Sequence, residues 1–168
     1  MNPFAFKDQR VGVFLDTQNI YHSAKNFYQR KVDFWKLINI LVGERNLIYI
    51  FAYVIKTGLS PKEIDFFESL AKNGIKVKIK EAVVYPDGSI KADIDVNLVI
   101  DVIRFSSNLD VIILVSGDGD FVPLVEYLKN NGKQVEVAGF GKNTSVKLKE
   151  VCDYFYDLDD LRKYILIK

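Results

Sequence analysis

The sequence predicts an α/β protein with a parallel sheet, and two apolar stretches carry most of this prediction. Residues 111–115 form an unbroken, mostly β-branched run with helical patterns on either side, which is typical of a strand buried on both faces of a parallel sheet. Residues 10–16 form a second apolar run, and an aspartate stands at or just beyond the carboxyl end of each run. Because open α/β sheets bind ligands at the carboxyl ends of their strands, these aspartates are the first functional candidates.

Hydrophobic periodicity and end signals place the other elements. Further strands are predicted over 47–55, 75–80 and 133–138, with a short strand or extension over 154–157. Helices are predicted over 19–30, 34–42, 61–73, 91–105, 121–131 and 146–152, with a last one from 158 to 167. Asp33 is expected to cap the second helix, and Ser60, Pro61 and Glu63 form the start signal of the third. Because no repeat or linker interrupts the chain, a single domain over residues 1–168 is predicted.

The composition excludes several classes of function. With a formal net charge of +1, the chain gives no global argument for a polyanion partner, so such a site must come from a local arrangement. One cysteine, Cys152, excludes an intramolecular disulfide and a cysteine-rich zinc site, and a lone histidine, His22, argues against histidine-based zinc catalysis. No apolar run reaches the roughly 18 residues of a membrane span. The first residues carry no secretory signal, so we expect a cytoplasmic protein without a membrane partner.

Lysines alternate with apolar residues in the predicted strand 75–80. Lys76, Lys78 and Lys80 therefore share one face of this strand. The pattern favours a strand near the edge of the sheet with a solvated face, where lysines deter unwanted strand pairing. Contact with an RNA backbone is the alternative interpretation of the same lysines.

The predicted helix over 91–105 is strongly apolar yet carries three aspartates. Apolar residues lie nearly all round it, so we expect it to be largely buried between the sheet and a neighbour. At about 100° per residue, Asp95 falls on the face of Leu98, and burying a lone carboxylate is costly unless it is paired or binds a cation. Asp101 is rotated away from Asp95 by about 120°, and Asp93 fits the helix N-cap.

Carboxylates from three parts of the chain are expected at the carboxyl edge of the sheet, namely Asp16, Asp95, Asp118 and Asp120. They converge if strands 10–16 and 111–115 are neighbours at the switch point of the sheet. Grouped carboxylates without histidine or cysteine repel one another unless a hard cation neutralises them, which indicates a Mg²⁺ or Mn²⁺ site. Such a site supports metal-assisted hydrolysis of a phosphodiester. For Asp120, capping of a helix that begins near Phe121 is an equally good explanation.

A glycine-containing loop over residues 139–145 follows the predicted strand 133–138. It emerges at the same edge of the sheet, so Asn143 and Ser145 are candidates for hydrogen bonds to a substrate. Helix capping explains either side chain as well, and a lone Gly-x-Gly is too weak a signal for a phosphate-binding loop.

Four segments of the chain stand out in order: Phe14-Leu-Asp-Thr-Gln-Asn19, Lys91-Ala-Asp-Ile-Asp95 with Asp101 six residues further on, Ser116-Gly-Asp-Gly-Asp-Phe121, and Gly139-Phe-Gly-Lys-Asn-Thr-Ser145. Together they resemble the motifs of LabA-like NYN domains, which belong to the PIN-like nuclease superfamily. The resemblance covers about residues 10–160, the expected core of the domain. It implies a three-layer α/β/α sandwich with a mostly parallel central sheet, of the PIN-like or Rossmann-like kind, together with a divalent metal and RNA as substrate.

Residue by residue, the resemblance assigns metal binding and catalysis to the four aspartates at positions 16, 95, 118 and 120. It gives Asn19 and Ser116 a supporting role in the site and makes Lys91 a contact to phosphate. We therefore predict an enzyme, a Mg²⁺- or Mn²⁺-dependent ribonuclease, with single-stranded RNA as its partner.

Two other functions stay open from the sequence. A non-catalytic RNA-binding or regulatory module is favoured by the near-neutral charge and by the lack of an obvious basic stripe. A phosphatase with Asp16 as its nucleophile is the weaker alternative, because residue 18 is glutamine and no strand-1 Asp-x-Asp pair is present.

Aromatic residues give two further expectations about partners. The candidates for base stacking are Tyr21, Tyr28, Tyr53 and Tyr85, although packing in the core or on the surface is the commoner role of such residues. A homodimer is also open, with Phe4 and Phe6 as the apolar residues expected to contact the second copy.

Overall fold

The computed structural model describes residues 2–58, 62–87, 89–91 and 94–167. The strands are β1 (Arg10–Asp16), β2 (Lys31–Val32), β3 (Asn46–Lys56), β4 (Lys76–Glu81), β5 (Val83–Val84), β6 (Ile90–Lys91), β7 (Val111–Val115), β8 (Gln134–Gly139), β9 (Tyr154–Asp157) and β10 (Leu166–Ile167). The helices are α1 (Thr17–Tyr28), α2 (Phe34–Val42), α3 (Lys62–Lys72), α4 (Asp95–Ser106), α5 (Val122–Asn130), α6 (Val146–Val151) and α7 (Leu158–Ile165). A 3₁₀ turn over Gly119–Phe121 leads into α5.

Six strands form the central sheet in the order β4-β3-β1-β7-β8-β9, and each neighbouring pair is parallel. The chain runs outward from β1 through β3 to β4, and then crosses back to β7 and runs outward the other way. The switch point therefore lies between β1 and β7, which pair directly with Leu15 opposite Val115. Strands β1 and β7 are therefore neighbours, which is the arrangement that the aspartates at their carboxyl ends need in order to converge.

Helices cover both faces of the sheet, as the sequence predicted. On β1, Val13 and Leu15 pack into the cluster shared with α1, α2, α3 and α7, while Phe14 packs into the cluster shared with α4, α5 and α6. None of these three side chains is accessible to solvent, which explains why the central strands read as continuous apolar runs. The fold is a three-layer α/β/α sandwich.

β4 is an edge strand of the sheet, as its lysine pattern predicted. Lys76 and Lys78 stand on the face of β4 that continues the aromatic face of β3, and both ammonium groups lie over the ring of Phe51. The helix on this face, α4, packs over the centre of the sheet rather than over β4. The lysines therefore keep their solvated side.

The segment after β4 differs from the sequence prediction. α4 begins at Asp95 rather than at Lys91, because Ile90 and Lys91 pair with β5 in a short antiparallel hairpin. The helix is also less buried than its composition predicted: Val96, Ile100 and Ile103 are exposed. Among the described residues no further helix packs on this outer face of α4, so the expectation of a largely buried helix is wrong. The Ser60-Pro61 start signal and Asp93 lie outside the described residues.

A buried ion pair joins the turn before β3 to strand β8. Arg45 and Glu136 form two hydrogen bonds, at 2.7 and 3.0 Å, and both side chains are almost fully buried. Arg45 also donates to the carbonyl oxygens of Leu41 and Val42, while Glu136 accepts from Asn2, Gln134 and Tyr156. The pair is therefore fully hydrogen-bonded, which is the condition under which a buried pair is tolerated.

None of the described helices has the length and apolar character needed to cross a membrane.

Replacing Arg45 by methionine should strongly destabilise the protein, because Glu136 would be left as a buried charge without its cation. We expect the free energy of unfolding to fall by about 3–5 kcal/mol, measured by urea denaturation. The control is Arg10→Met, which removes a cation from an exposed pair with Asp110 and should shift the midpoint far less. Equal shifts for the two variants would contradict the structural role assigned to the buried pair.

Candidate functional site at the carboxyl edge of the sheet

Asp16 and Ser116 join the ends of the two strands at the switch point. Because Leu15 lies opposite Val115, the next residue of β1 stands beside the first residue after β7. The Ser116 hydroxyl donates to Asp16 Oδ2 at 2.7 Å, and the backbone N–H of Asn19 donates to Asp16 Oδ1 at 3.2 Å. Asp16 is thus the N-cap of α1, so this helix begins two residues before the predicted position.

A second set of hydrogen bonds fixes the loop after β7. The Asn19 side-chain oxygen accepts from the backbone N–H of Gly117 at 2.9 Å, which ties this loop to α1. The Ser116 hydroxyl also accepts from the backbone N–H of Asp118 at 3.1 Å. Asn19 and Ser116 therefore hold the positions of both neighbouring aspartates.

The carboxyl group of Asp16 has a raised pKa. Its side chain is buried, and this desolvation raises the pKa of its carboxyl group above the ordinary aspartate value, with a further increase from the negative charge of Asp118. The hydrogen bonds from Ser116 and Asn19 act in the opposite direction without cancelling the increase. Between the ordinary pKa and the raised pKa the folded protein binds more protons than the unfolded chain, so stability decreases as pH rises through that range.

A pocket of about 260 Å³ opens at this edge of the sheet. Three of the four predicted aspartates line it: Asp16 from β1, Asp95 at the first position of α4, and Asp118 after β7. Asn19, Gln18, His22, Ile55 and Ile94 line it as well. The pocket therefore collects oxygen donors from three separate parts of the chain.

Asp120 does not join this pocket. Its side chain is exposed, and the pocket's lining does not include it. The predicted alternative, that Asp120 caps the following helix, is wrong: Asp118 caps the 3₁₀ turn that precedes α5, because its Oδ1 accepts from the backbone N–H of Asp120 at 2.9 Å. The cap stands earlier because the 3₁₀ turn Gly119–Phe121 precedes α5.

The other polar candidates have different positions. Asn143 donates to the hydroxyl of Ser23 at 2.8 Å, and the Ser145 backbone N–H donates to the Gly117 carbonyl at 2.9 Å. Neither residue lines the 260 Å³ pocket, and Ser145 stands at the N-cap of α6 without a capping hydrogen bond from its side chain. The main chain of Lys91 lies in β6, and its side chain is outside the described part of the chain.

The glycines of the Ser-Gly-Asp-Gly-Asp segment serve close packing between two loops. A Cβ atom on Gly117 would stand 2.9 Å from the Asn143 carbonyl oxygen and from the Thr144 hydroxyl oxygen. A Cβ atom on Gly119 would stand 2.9 Å from the Ser145 hydroxyl oxygen. The loops after β7 and β8 therefore pack closely against each other at these glycines.

A second pocket of about 500 Å³, which no sequence pattern indicated, lies between α4 and β4. Asp101, on the α4 face that points away from Asp95, is buried in its wall and accepts a hydrogen bond from the Tyr53 hydroxyl at 3.1 Å. Tyr53 is fully buried, so its proposed role as an exposed base-stacking residue is wrong. Burial and the Asp101 carboxylate raise the pKa of the Tyr53 hydroxyl, which keeps it a hydrogen-bond donor.

The donor set of the smaller pocket suits a hard cation, although its acids are not gathered into a preformed cluster. In the described part of the chain, no three acidic, histidine or cysteine side chains stand close enough together to hold a metal ion. Mg²⁺ usually keeps several waters and binds through one or two carboxylates together with substrate phosphates. A pocket that offers Asp16 and Asp118 together therefore meets the requirement of Mg²⁺ for oxygen ligands.

A parallel α/β sandwich with carboxylates at its switch point is the architecture that the resemblance to PIN-like domains implied. The chain belongs to the NYN domain family, which matches residues 10–159. The family predicted from the four sequence motifs is thereby confirmed.

Similar proteins add little functional detail to the family assignment. The chain is 26% identical over 172 residues to the low amplitude and bright protein LabA of Synechococcus elongatus, covering 96% of this chain and 90% of LabA. It is 27% identical to the uncharacterized protein MJ0482 of Methanocaldococcus jannaschii, covering 88% of this chain but only 54% of that protein. The crystal structure of VPA0982, a protein of unknown function from Vibrio parahaemolyticus, matches 97% of this chain and 99% of its own at a TM-score of 0.85 and 31% identity.

Replacing Ser116 by alanine tests the junction between β1 and β7. The pKa of Asp16 should rise further, because a hydrogen bond that stabilises the charged carboxylate is lost. The free energy of unfolding should fall by about 1–3 kcal/mol, since the Asp118 N–H loses its acceptor as well. We would follow the Asp16 carboxyl carbon by NMR across a pH titration. Ser106→Ala, which removes an exposed hydroxyl, is the control and should leave the Asp16 pKa unchanged; an unchanged pKa in Ser116→Ala would refute the junction.

Proposed function

We propose that this protein is a Mg²⁺- or Mn²⁺-dependent ribonuclease whose chemistry takes place in the pocket lined by Asp16, Asp95 and Asp118. The single observation that carries the proposal is the convergence of these carboxylates from β1, α4 and the loop after β7 at the switch point of a NYN domain. A role for Asp120 as a fourth acidic group of the site stays a prediction. Asp120 lies close to Asp118 in the chain but does not line the pocket.

The residues around the metal position would either bind the metal ion or position the residues that bind it. Asp16 and Asp118 supply oxygen ligands. The pKa of Asp16 is raised chiefly by burial and further by the charge of Asp118, and a bound cation would stabilise the carboxylate against both. Ser116 and Asn19 hold these ligands in place, so little reorganisation is needed when substrate arrives. When bound, the metal ion would activate a water and neutralise charge on the phosphodiester.

The partner that fits this chemistry is RNA, and we propose single-stranded RNA because its phosphates can enter an open pocket without a duplex partner. Asn143, Ser145 and Lys91 stay candidates for contacts to the strand outside the pocket. The cytoplasm stays the expected location for a chain whose one cysteine, Cys152, cannot form an internal disulfide. A homodimer also stays open, since Phe4 and Phe6 are both exposed.

A second function, RNA binding without cleavage, is supported by a specific observation. The described acids do not form a preformed cluster of three, so the pocket could hold a metal-bridged phosphate without reaching a catalytic geometry. The small-substrate phosphatase has no comparable support. Cleavage assays separate the first two functions directly.

Metal-dependent cleavage of labelled single-stranded RNA tests the proposal. The unaltered protein should cleave with Mn²⁺ or Mg²⁺ and not with EDTA, and Asp118→Asn should reduce the rate at least about 100-fold, because a metal ligand is lost. Asparagine still accepts the N-cap hydrogen bond, so folding should be preserved.

The control is Asp110→Asn, at the amino edge of β7. Arg10 holds the pKa of Asp110 down to about 2, so this change removes a carboxylate that is paired with an arginine at the opposite edge of the sheet from the pocket. Its cleavage rate should match that of the unaltered protein. RNA retained on the protein with no product over hours would replace the ribonuclease by the binding module.

Metal binding should also be visible as thermal stabilisation. At a Mn²⁺ concentration about 100 times its dissociation constant, Tm should rise by roughly 5–10 °C. The increase should shrink as pH falls through the raised pKa of Asp16, because protons then compete with the cation for the carboxylate. Differential scanning fluorimetry across pH would measure this, with Asp118→Asn as the variant that loses the increase. A metal-induced shift that is independent of pH would argue against Asp16 as a ligand.

A further inference from the structure

The 500 Å³ pocket forms a groove along one side of α4. Asn97, Asp101 and Arg104 line it from α4 at steps of four and three residues, which place them on one helix face. Lys78 and Lys80 line it from the edge strand β4. The groove is open to solvent, as the large exposed fractions of the Lys78 and Arg104 side chains show.

Asp101 forms ion pairs with a cationic side chain from each wall of the groove. Its Oδ1 lies 3.2 Å from Arg104 Nη1, and its Oδ2 lies 3.6 Å from Lys78 Nζ. The Asp101 side chain is only 10% exposed, whereas those of Lys78 and Arg104 are 45% and 64% exposed. The carboxylate therefore lies at the base of the groove and the two cations reach from it toward solvent.

Among the described residues of the groove, Lys78 and Arg104 bring two positive charges against the one negative charge of Asp101, with which both pair. Lys80 lies on the same wall and donates to the side-chain oxygen of Asn97 at 3.4 Å. An ammonium has three N–H donors and a guanidinium has five, so one shared carboxylate leaves donors of Lys78 and Arg104 directed outward. A phosphate oxygen is the ligand that such a pair of cations recognises best.

The groove continues into the acidic pocket. Ile94 lines both pockets, and Tyr53 and Ile55 line the larger and the smaller pocket from the same face of β3. Positively charged walls thus lie directly beside the carboxylates of Asp16, Asp95 and Asp118. A phosphodiester strand whose reacting phosphate lies in the acidic pocket would place neighbouring phosphates along the groove.

We propose that the groove between α4 and β4 binds the backbone of single-stranded RNA, with Lys78 and Arg104 contacting its phosphates and Asp101 positioning both cations. This inference rests on the proposed function for the identity of the strand. It assigns the lysine stripe of β4 a binding role in addition to its position at the sheet edge. The local arrangement also supplies the basic surface that the near-neutral composition does not reveal.

The test measures binding without turnover. Fluorescence anisotropy of a labelled ten-nucleotide single-stranded RNA would be followed in EDTA at several salt concentrations. For Lys78→Gln combined with Arg104→Gln, affinity at moderate salt should fall at least about 10-fold, and the slope of log K against log salt should decrease in magnitude by roughly 1.4, for two lost phosphate contacts.

The matched control removes the same charge elsewhere, as Lys7→Gln combined with Lys163→Gln. Lys7 precedes β1 at the amino edge of the sheet, and Lys163 is exposed on α7, on the opposite face of the sandwich. This variant should keep its salt slope within about 0.3 of the unaltered protein. An equal loss in both variants would overturn the groove as the binding site.

A third variant tests whether weakened binding results from a folding defect. Removing both cations leaves Asp101 as a buried carboxylate, so Asp101→Asn is added to the double change to restore a neutral, hydrogen-bonded partner for Tyr53. The triple variant should also bind weakly, with the reduced slope; binding at the unaltered affinity by either variant would refute the proposal. Absence of RNA binding by the unaltered protein would refute it too. Weakened binding by the groove variants without any metal-dependent cleavage would support the groove and reject the ribonuclease.

Discussion

The direct parallel pairing of β1 with β7 is the constraint on which the functional edge depends. It sets Asp16 beside Ser116, and their hydrogen bond joins two segments that are 100 residues apart in the chain. Asn19 then connects α1 to the loop after β7 by accepting from Gly117. Because Gly117 and Gly119 carry no Cβ atom, the loop after β8 can pack closely against the same segment. One strand register therefore positions a carboxylate, its supporting hydroxyl and two loops.

Two buried carboxylates of this protein have contrasting environments. Glu136 has an arginine partner and further donors from neutral side chains, so its charge is compensated within the fold. Asp16 has a hydroxyl and a backbone amide as donors, and its pKa is raised. Its environment therefore disfavours the charged form in the absence of a cation, which costs stability. Such strain at a pocket is expected where a site exists to bind a ligand rather than to hold the fold together.

Local sequence signals predicted the layers of this fold but not every contact of its site. The apolar runs 10–16 and 111–115 identified the central strands, and Asp33 capped its helix as expected, because these features depend on neighbouring residues only. The burial of Asp101 could not be predicted in this way, since it depends on Tyr53, 48 residues away on another strand. Likewise, the cap at Asp118 rather than Asp120 depends on a single 3₁₀ turn, which helical periodicity does not resolve.

The lysine stripe of β4 illustrates why an edge strand and a binding surface need not be alternatives. An edge strand must stay soluble, and lysines achieve this by keeping their ammonium groups in water. The same solvated cations are available to a phosphate only if something holds them near one another, which Asp101 does for Lys78 and Arg104. A chain of nearly zero net charge can therefore present a cationic groove beside an anionic pocket. The anionic pocket alone would repel a polyanion such as RNA, so a neighbouring cationic wall is what a phosphodiester strand needs in order to approach the three carboxylates.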